Sequence, residues 1–385
     1  NRAGRARRAL RQNNYGGTFG GRIKLPRFGE GTPFLYDGKD RSFFFVSYEG
    51  LRLKQPQTSV LLARVPSVAA RNAATGVFKQ ILEAFPLPNS PFVAGDPADT
   101  ERYVAALSYP SKVDALSFRI DQRINDKVNL FGRFNDAPSS QRFRAFPSQN
   151  NTYESNIRTV TIGSSQTFSS RLINDLRVNY SFSRGLFLFE GIEVDGSRLP
   201  DPALLFPSFA PPENASVSII LGTGGSNISS ANLTQGKTIG TKQRQLNIVN
   251  NLTAIVGNHE LKFGVDYRRL TPKVDSRALG ITYTFSTPAA RATGIPNQIQ
   301  VQALAPITDF KVENFSAFAQ DTWRINRRLT LTGGLRWELN PPLSGDRLPF
   351  QIQGFDNLLT ATLAPAGTRQ WKTEYDNFAP RFGVA

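Results

Sequence analysis

The sequence predicts an all-β chain, an incomplete transmembrane antiparallel β-barrel. Three observations carry that reading. Apolar and polar residues alternate with a period of two through many segments. Connections between these segments are short at one end and long at the other. No apolar run approaches the roughly 20 residues a spanning helix needs. Lipid cannot satisfy backbone N–H and C=O groups, so strands that cross it must pair with one another and close. Lipid-facing side chains are then apolar, and lumen-facing ones are free to be charged.

The alternation assigns the faces. Leu176, Val178, Tyr180 and Phe182 oppose Arg177, Asn179, Ser181 and Ser183. Leu261, Phe263, Val265 and Tyr267 oppose Lys262, Gly264, Asp266 and Arg268. Leu329, Leu331, Leu335 and Trp337 oppose Thr330, Thr332, Arg336 and Glu338. Leu116, Phe118 and Ile120 oppose Ser117, Arg119 and Asp121. Residues 128–135 follow less cleanly, because Phe131 falls on the polar side with Arg133. These apolar residues, Leu329 apart, are the lipid-facing candidates. Arg119, Asp121, Arg133, Arg177, Asn179, Lys262, Asp266, Arg268, Arg336 and Glu338 are the lumen-facing ones, expected chiefly to pair with neighbouring strands and a plug. A soluble barrel would turn the same apolar faces inward. Loop asymmetry, and aromatics near strand ends such as Tyr267, Trp323 and Trp337, favour the membrane version.

In chain order about eleven spanning strands are expected, near 15–24, 41–54, 112–121, 127–137, 155–168, 171–185, 242–256, 259–271, 312–324, 328–340 and 375–385. Short turns fall at 121–127, 169–172, Gly257-Asn258 and 325–327. Long segments at 55–110, 138–154, 185–240 and 271–311 are rich in Pro, Gly, Ser and Asn and are expected to be extracellular. One helix is expected from Ser67 to Phe85, packing its apolar face on its own loop, and Gly280–Ser286 reads as a strand extending a hairpin. Bacterial single-chain barrels have even strand counts. An odd count, with a start at Asn1 and an end inside a strand-like run, is expected of a piece of one barrel domain lacking signal peptide, plug and C-terminal strands. Two unpaired sheet edges would make such a piece prone to misassembly.

Composition removes several function classes. There is no Cys, no Met and a single His, so disulfide frameworks, thiol nucleophiles and Cys-based metal centres are excluded. His259 at a turn has no partner motif and reads as an interfacial residue. Gly222 to Gly225 lacks the Lys-Ser/Thr ending of a phosphate loop and reads as a flexible loop. Asp114 with Asp121, or Glu49 with Asp266, could in principle face one lumen as paired carboxylates, but neighbouring arginines argue for charge pairing. No enzyme activity, metal or cofactor is expected. The net charge is +16, yet the only dense basic run is Arg2, Arg5, Arg7, Arg8 and Arg11, with no nucleic-acid-reading motif beside it. No nucleic-acid partner is expected. The charge fits anionic solutes or lipopolysaccharide phosphates.

A resemblance adds to this. The run from Arg11 to Gly21 (RQNNYGGTFGG), followed by Ser42 to Arg52 (SFFFVSYEGLR), resembles early barrel strands of Oar-like TonB-dependent outer-membrane proteins. Further matches follow in family order: Leu130 to Phe134 (LFGRF), His259 to Arg268 (HELKFGVDYR), Phe318 to Trp323 (FAQDTW) with Leu329 to Glu338 (LTLTGGLRWE), and Asn377 to Ala385 (NFAPRFGVA). Leu25 to Asp40 is longer than the family's usual turn there. The resemblance implies a barrel of about 22 strands closed around a plug, often preceded by a carboxypeptidase-regulatory-like domain. It implies energy-coupled uptake of a solute in the bacterial outer membrane. It implies partners in outer-membrane lipid, lipopolysaccharide and, through the plug-bearing part of the parent chain, the TonB complex. Two other readings compete: a surface or adhesion protein without active transport, and a soluble glycan-binding β-protein.

Overall fold

The computed structural model describes residues 10–26, 35–57, 61–225, 228–275, 279–303, 308–354, 356–357 and 359–385. Arg2, Arg5, Arg7 and Arg8 of the basic run, and residues 27–34 of the long first turn, lie outside them. Eleven strands form one antiparallel sheet in chain order: β1 (Arg11–Arg22), β2 (Ser42–Pro56), β3 (Ser108–Arg123), β4 (Val128–Phe146), β5 (Gln149–Ser169), β6 (Leu172–Gly191), β7 (Ile239–Val256), β8 (His259–Asp275), β9 (Thr308–Asn326), β10 (Leu329–Leu339) and β11 (Phe378–Val384). A short strand, Ser344–Arg347, adds to one end of β9. β1 and β11 terminate the order, so the sheet is open. No helix among the described residues is long and apolar enough to cross a membrane.

Side-chain chemistry fixes the short turns. Asn125 Oδ1 accepts the Lys127 N–H at 2.9 Å, and Asn326 Oδ1 accepts that of Arg328 at 2.8 Å. Ser169 Oγ accepts the Arg171 N–H at 3.2 Å. Such local bonds let a polar side chain stand in for a backbone turn. Gly257 supplies the left-handed conformation, φ 58°, in the two-residue turn between β7 and β8. All four turns lie at the same end of the sheet.

At the other end the strands run further than expected. Residues 138–154 are not a loop. β4 and β5 stay paired from Val128↔Gln166 up to Phe146↔Gln149, with one bulge near the tip. The Pro138 position is tolerated, and polar residues on both faces replace the membrane-type alternation there.

The remaining long segments do not hang separately. Parts of 55–110, 185–240 and 271–311 fold together into a crown. A four-stranded sheet runs in the order Asn232–Gly236, Ala215–Ile220, Leu279–Thr284, Gln298–Ala303. Its central pair is parallel, with Ala215 opposite Leu279 and Ile220 opposite Thr284. The stretch expected at Gly280–Ser286 is therefore a strand, but its partners are crown strands and not an extension of its own hairpin. A separate antiparallel pair, Leu61–Pro66 with Thr100–Ala105, adds Val65 and Tyr103 to the same core. The expected single helix is two, Val68–Ala73 and Gly76–Glu83. Ser67 caps the first, its Oγ accepting the Ala70 N–H. Extended Thr75 and Gly76, at φ 59°, break the run between them.

The contiguous hydrophobic core of the molecule sits in this crown. It includes Val65, Leu82, Phe85, Tyr103, Val217, Ile219, Leu221, Leu233, Ile281 and Phe285, and no residue of the eleven long strands.

Candidate functional site

The pairing registers sort the wall into two faces, because directly opposed residues in a sheet share a side. One register row reads Arg119↔Arg133, Arg133↔Thr161, Thr161↔Asn179, Asn179↔Asn247, Asn247↔Arg268. The next reads Asp121↔Phe131, Phe131↔Gly163, Gly163↔Arg177, Arg177↔Val249, Val249↔Asp266, Asp266↔Ser316, Ser316↔Glu338. Lys262 and Arg336 fall on this same side by alternation. The opposite side carries rows such as Phe118↔Phe134, Phe134↔Val160, Val160↔Tyr180, and Ile162↔Val178, Val178↔Ile248, Ile248↔Tyr267. Leu116, Ile120, Leu176, Phe182, Leu261, Phe263, Val265, Leu331, Leu335 and Trp337 share it. Asp114 lies on this second side and Asp121 on the first, so these carboxylates cannot act together; Asp114 instead accepts from Tyr48 Oη at 2.6 Å and Arg52 Nη2 at 2.8 Å.

The polar face is a mesh of short contacts. Arg119 donates to both Asp121 oxygens, at 2.8 and 2.6 Å, and lies 4.3 Å over the Phe131 ring. Arg133 Nε donates to Asn135 Oδ1 at 3.0 Å and Ser117 Oγ at 3.2 Å. Asn179 donates to Thr161 Oγ1 at 2.8 Å, and Asn247 to Asp266 Oδ1 at 2.5 Å. Lys262 Nζ sits 2.8 Å from Glu260. Arg336 donates to Glu338 at 2.6 Å and Ser316 at 2.8 Å. Arg177 lines a cleft of about 420 Å³ with Arg119, Asp121 and Arg133. Arg268 lines a second, of about 270 Å³, with Asp266, Arg336 and Glu338.

Phe131 has a specific partner. It lies flat on Gly163, where an added Cβ would come 2.2 Å from the ring. Phe318 covers Gly264 in the same way, at 2.1 Å. A strand glycine marks close approach, and that was the available signal for these two pairs. Two of the three aromatics expected near strand ends are there. His259 stacks on Trp323 at 5.2 Å and bonds Asp321 at 2.7 Å, beside the Gly257 turn. Trp337 lies two residues from the end of β10, its Nε1 donating to the Tyr375 carbonyl at 2.8 Å. Tyr267 instead sits midway along β8, its Oη donating to Glu313 at 2.8 Å.

The crown is tied by buried ions. Asp96 accepts from Arg64 at 2.8 Å and Arg102 at 2.7 Å. These bonds, Arg102 foremost, hold its carboxyl below the usual carboxylate range. Arg64 also donates to the carbonyls of Thr223 and Gly224, so the glycine run expected to be flexible is pinned. Arg291 grips Asp99 with two bonds, at 2.6 and 3.1 Å, and donates to the carbonyls of Leu221, Phe285 and Ser286. Arg71 bonds the carbonyls of Pro66, Phe85 and Pro86; burial pulls it down to about 10, still charged at neutral pH. Hydrogen bonds fasten crown to wall. The Thr234 N–H donates to Gln149 Oε1 at 2.7 Å. Tyr103 Oη accepts from Arg144 at 3.2 Å and donates to Asp195 at 2.5 Å.

The whole chain matches one family model, the outer membrane beta barrel domain, over residues 1–80 and 72–385, and belongs to that family. Its place is the bacterial outer membrane. A soluble glycan-binding protein is therefore not the correct reading. Among solved structures it is similar to the outer membrane transporter YddB from Escherichia coli, with 10% identity, TM-score 0.48, 86% of this chain and 34% of that one covered. For FpvA of P. aeruginosa bound to heterologous pyoverdines the values are 11%, 0.46, 97% and 39%. For the ferric-catecholate import receptor Fiu from K12 E. coli they are 13%, 0.41, 86% and 44%. The chain thus spans less than half the length of each. Comparison with curated protein sequences gives no match.

Proposed function

We propose that this chain is the wall and outer crown of an Oar-like TonB-dependent receptor that takes up a solute across the outer membrane with energy from the TonB complex. The supporting observation is the sorting of the two faces by register. Leu116, Phe118, Ile120, Leu176, Val178, Tyr180, Phe182, Leu261, Phe263, Val265, Tyr267, Leu331, Leu335 and Trp337 face lipid. Arg119, Asp121, Arg133, Arg177, Asn179, Lys262, Asp266, Arg268, Arg336 and Glu338 face a lumen, where their bonds stiffen the wall and meet a plug. The short turns are periplasmic, and the crown and the β4–β5 extension are extracellular. The protein is a carrier and not an enzyme. It contacts outer-membrane lipid and lipopolysaccharide on one face and TonB through a plug, with a carboxypeptidase-regulatory-like domain ahead of that. The test offers the purified periplasmic domain of TonB to the full-length protein. Capture that depends on a TonB-contacting box is expected. A full-length protein that closes the barrel without a plug and never captures TonB would leave a surface or adhesion protein.

A further inference from the structure

The apolar face changes character toward the long-loop end. Its rows Val178↔Ile248, Ile248↔Tyr267 and Tyr180↔Leu246 give way to Phe182↔Arg244, and then to Arg184↔Lys242 and Lys242↔Lys273. Three cations on adjacent strands thus stand directly opposite one another. Neighbouring strands lie about 4.8 Å apart, and like charges in opposed positions destabilise a sheet. One carboxylate, Asp309, closes the row beside Lys273. Among the described residues Arg184, Lys242 and Lys273 make no ion pair, and all three are exposed. Two to four residues further toward the long-loop end, the same face gathers cations again on β1–β4. There Arg11, Lys54, Lys112 and Arg142 line a cleft of about 560 Å³ with a single carboxylate, Glu154. Arg52, also in that cleft, is already taken by Asp114 at 2.8 Å.

A cation row that repels itself, directly continuous with an apolar surface, is complementary to one kind of molecule. That molecule carries phosphates at the polar end and acyl chains at the other. We propose that the row Arg184, Lys242 and Lys273 is a binding site for the phosphates of lipopolysaccharide in the outer leaflet, with the acyl chains lying on the Tyr180, Val178 and Ile248 surface. The Lys54, Lys112 and Arg142 cleft continues the belt around the wall. The inference rests on the face assignment under Proposed function, because only a lipid-facing row meets that lipid.

The experiment uses the full-length protein in detergent, with bisphosphorylated lipid A, dephosphorylated lipid A and inorganic phosphate as probes, read by native mass spectrometry and titration. A cation near an anionic lipid surface contributes about fivefold in affinity, so the Arg184→Gln, Lys242→Gln, Lys273→Gln triple variant is expected to lose about a hundredfold. Dephosphorylated lipid A should bind the native protein as weakly, and inorganic phosphate should not displace bisphosphorylated lipid A. Displacement by inorganic phosphate would mean a free-anion site and overturn the proposal. Equal binding by native and triple-variant protein would overturn it as well. A parallel triple variant on the polar face, Arg133→Gln, Arg177→Gln and Arg268→Gln, separates the two levels of failure. If that variant loses lipid A and the first does not, the faces are reversed and the reading under Proposed function fails too. If neither loses it, only this site fails. Should the first triple variant lack the heat-modifiable gel mobility of a folded barrel, Lys242→Gln alone, with an expected loss of about fivefold, decides the matter.

Discussion

In the crown, Val65, Phe85, Tyr103, Ile219 and Leu221 are at most 1% exposed, whereas in the wall Phe118, Val160, Ile162 and Tyr180 are 39%, 43%, 60% and 47% exposed. The two regions use the same residue types in opposite ways. The crown removes its apolar surface from water by packing it together, as a soluble domain does. The wall is one strand layer thick, and among the described residues the hydrophobic core cluster includes none of its side chains. Its cohesion comes from an inter-strand ladder that runs through all eleven strands and from side-chain pairs on the polar face, and its apolar side is left exposed. Stability is therefore local in the crown and collective in the wall.

That contrast can be broken first in the crown. Phe85→Ala should cost about 3–5 kcal/mol there, by lost burial and the cavity left behind. Limited proteolysis should open the crown while the heat-modifiable mobility of the wall survives. Loss of both together would show one cooperative unit instead of two regions. In the wall, Val178→Arg should cost roughly 2–4 kcal/mol on folding into lipid vesicles, and Asn179→Arg, on the polar face, much less. Equal tolerance of the two would remove the distinction between faces.

A smaller effect sharpens the packing within the wall. Gly163→Ala places a Cβ 2.2 Å from the Phe131 ring, whereas Gly132→Ala meets nothing within 4 Å. The first should cost about 1–3 kcal/mol by overpacking and the second close to nothing, read by urea titration of vesicle-folded protein. The smallest effect is on pH. Asp96 has a folded pKa below its unfolded one, so the stability it supplies is complete above the unfolded pKa, about 4, and drains as pH falls through it toward the folded value. Proteolysis of the crown should accelerate below about pH 4, and Asp96→Asn should show less of that acid step from an already looser crown.

The wall was legible in the sequence because a period of two runs through most of its strands, and all eleven expected strands are present. Residues 138–154 were not, since there the alternation ends while the ladder continues. The crown was the least legible part. Leu279–Thr284 looks like a strand in isolation, but its parallel partner, Ala215–Ile220, lies beyond two whole strands of the wall. Nothing local encodes such a pairing. The same applies to Arg64 and Arg291, whose charge reads as surface until Asp96, Asp99 and the Thr223, Leu221 and Phe285 carbonyls are brought to them. On the polar face, the Arg119–Asp121 and Arg336–Glu338 pairs were visible as neighbours two apart. The Gly163–Phe131 joint was not, because it depends on the register of β4 against β5.

The parallel pair has a consequence in time. Ala215–Ile220 is made before β7 and β8, and Leu279–Thr284 after them. Val217 and Ile219 therefore have no finished core to enter until the second of those strands is in place. The crown can close only on a chain that already includes β7 and β8, so this one pair ties together the two long segments that flank that hairpin.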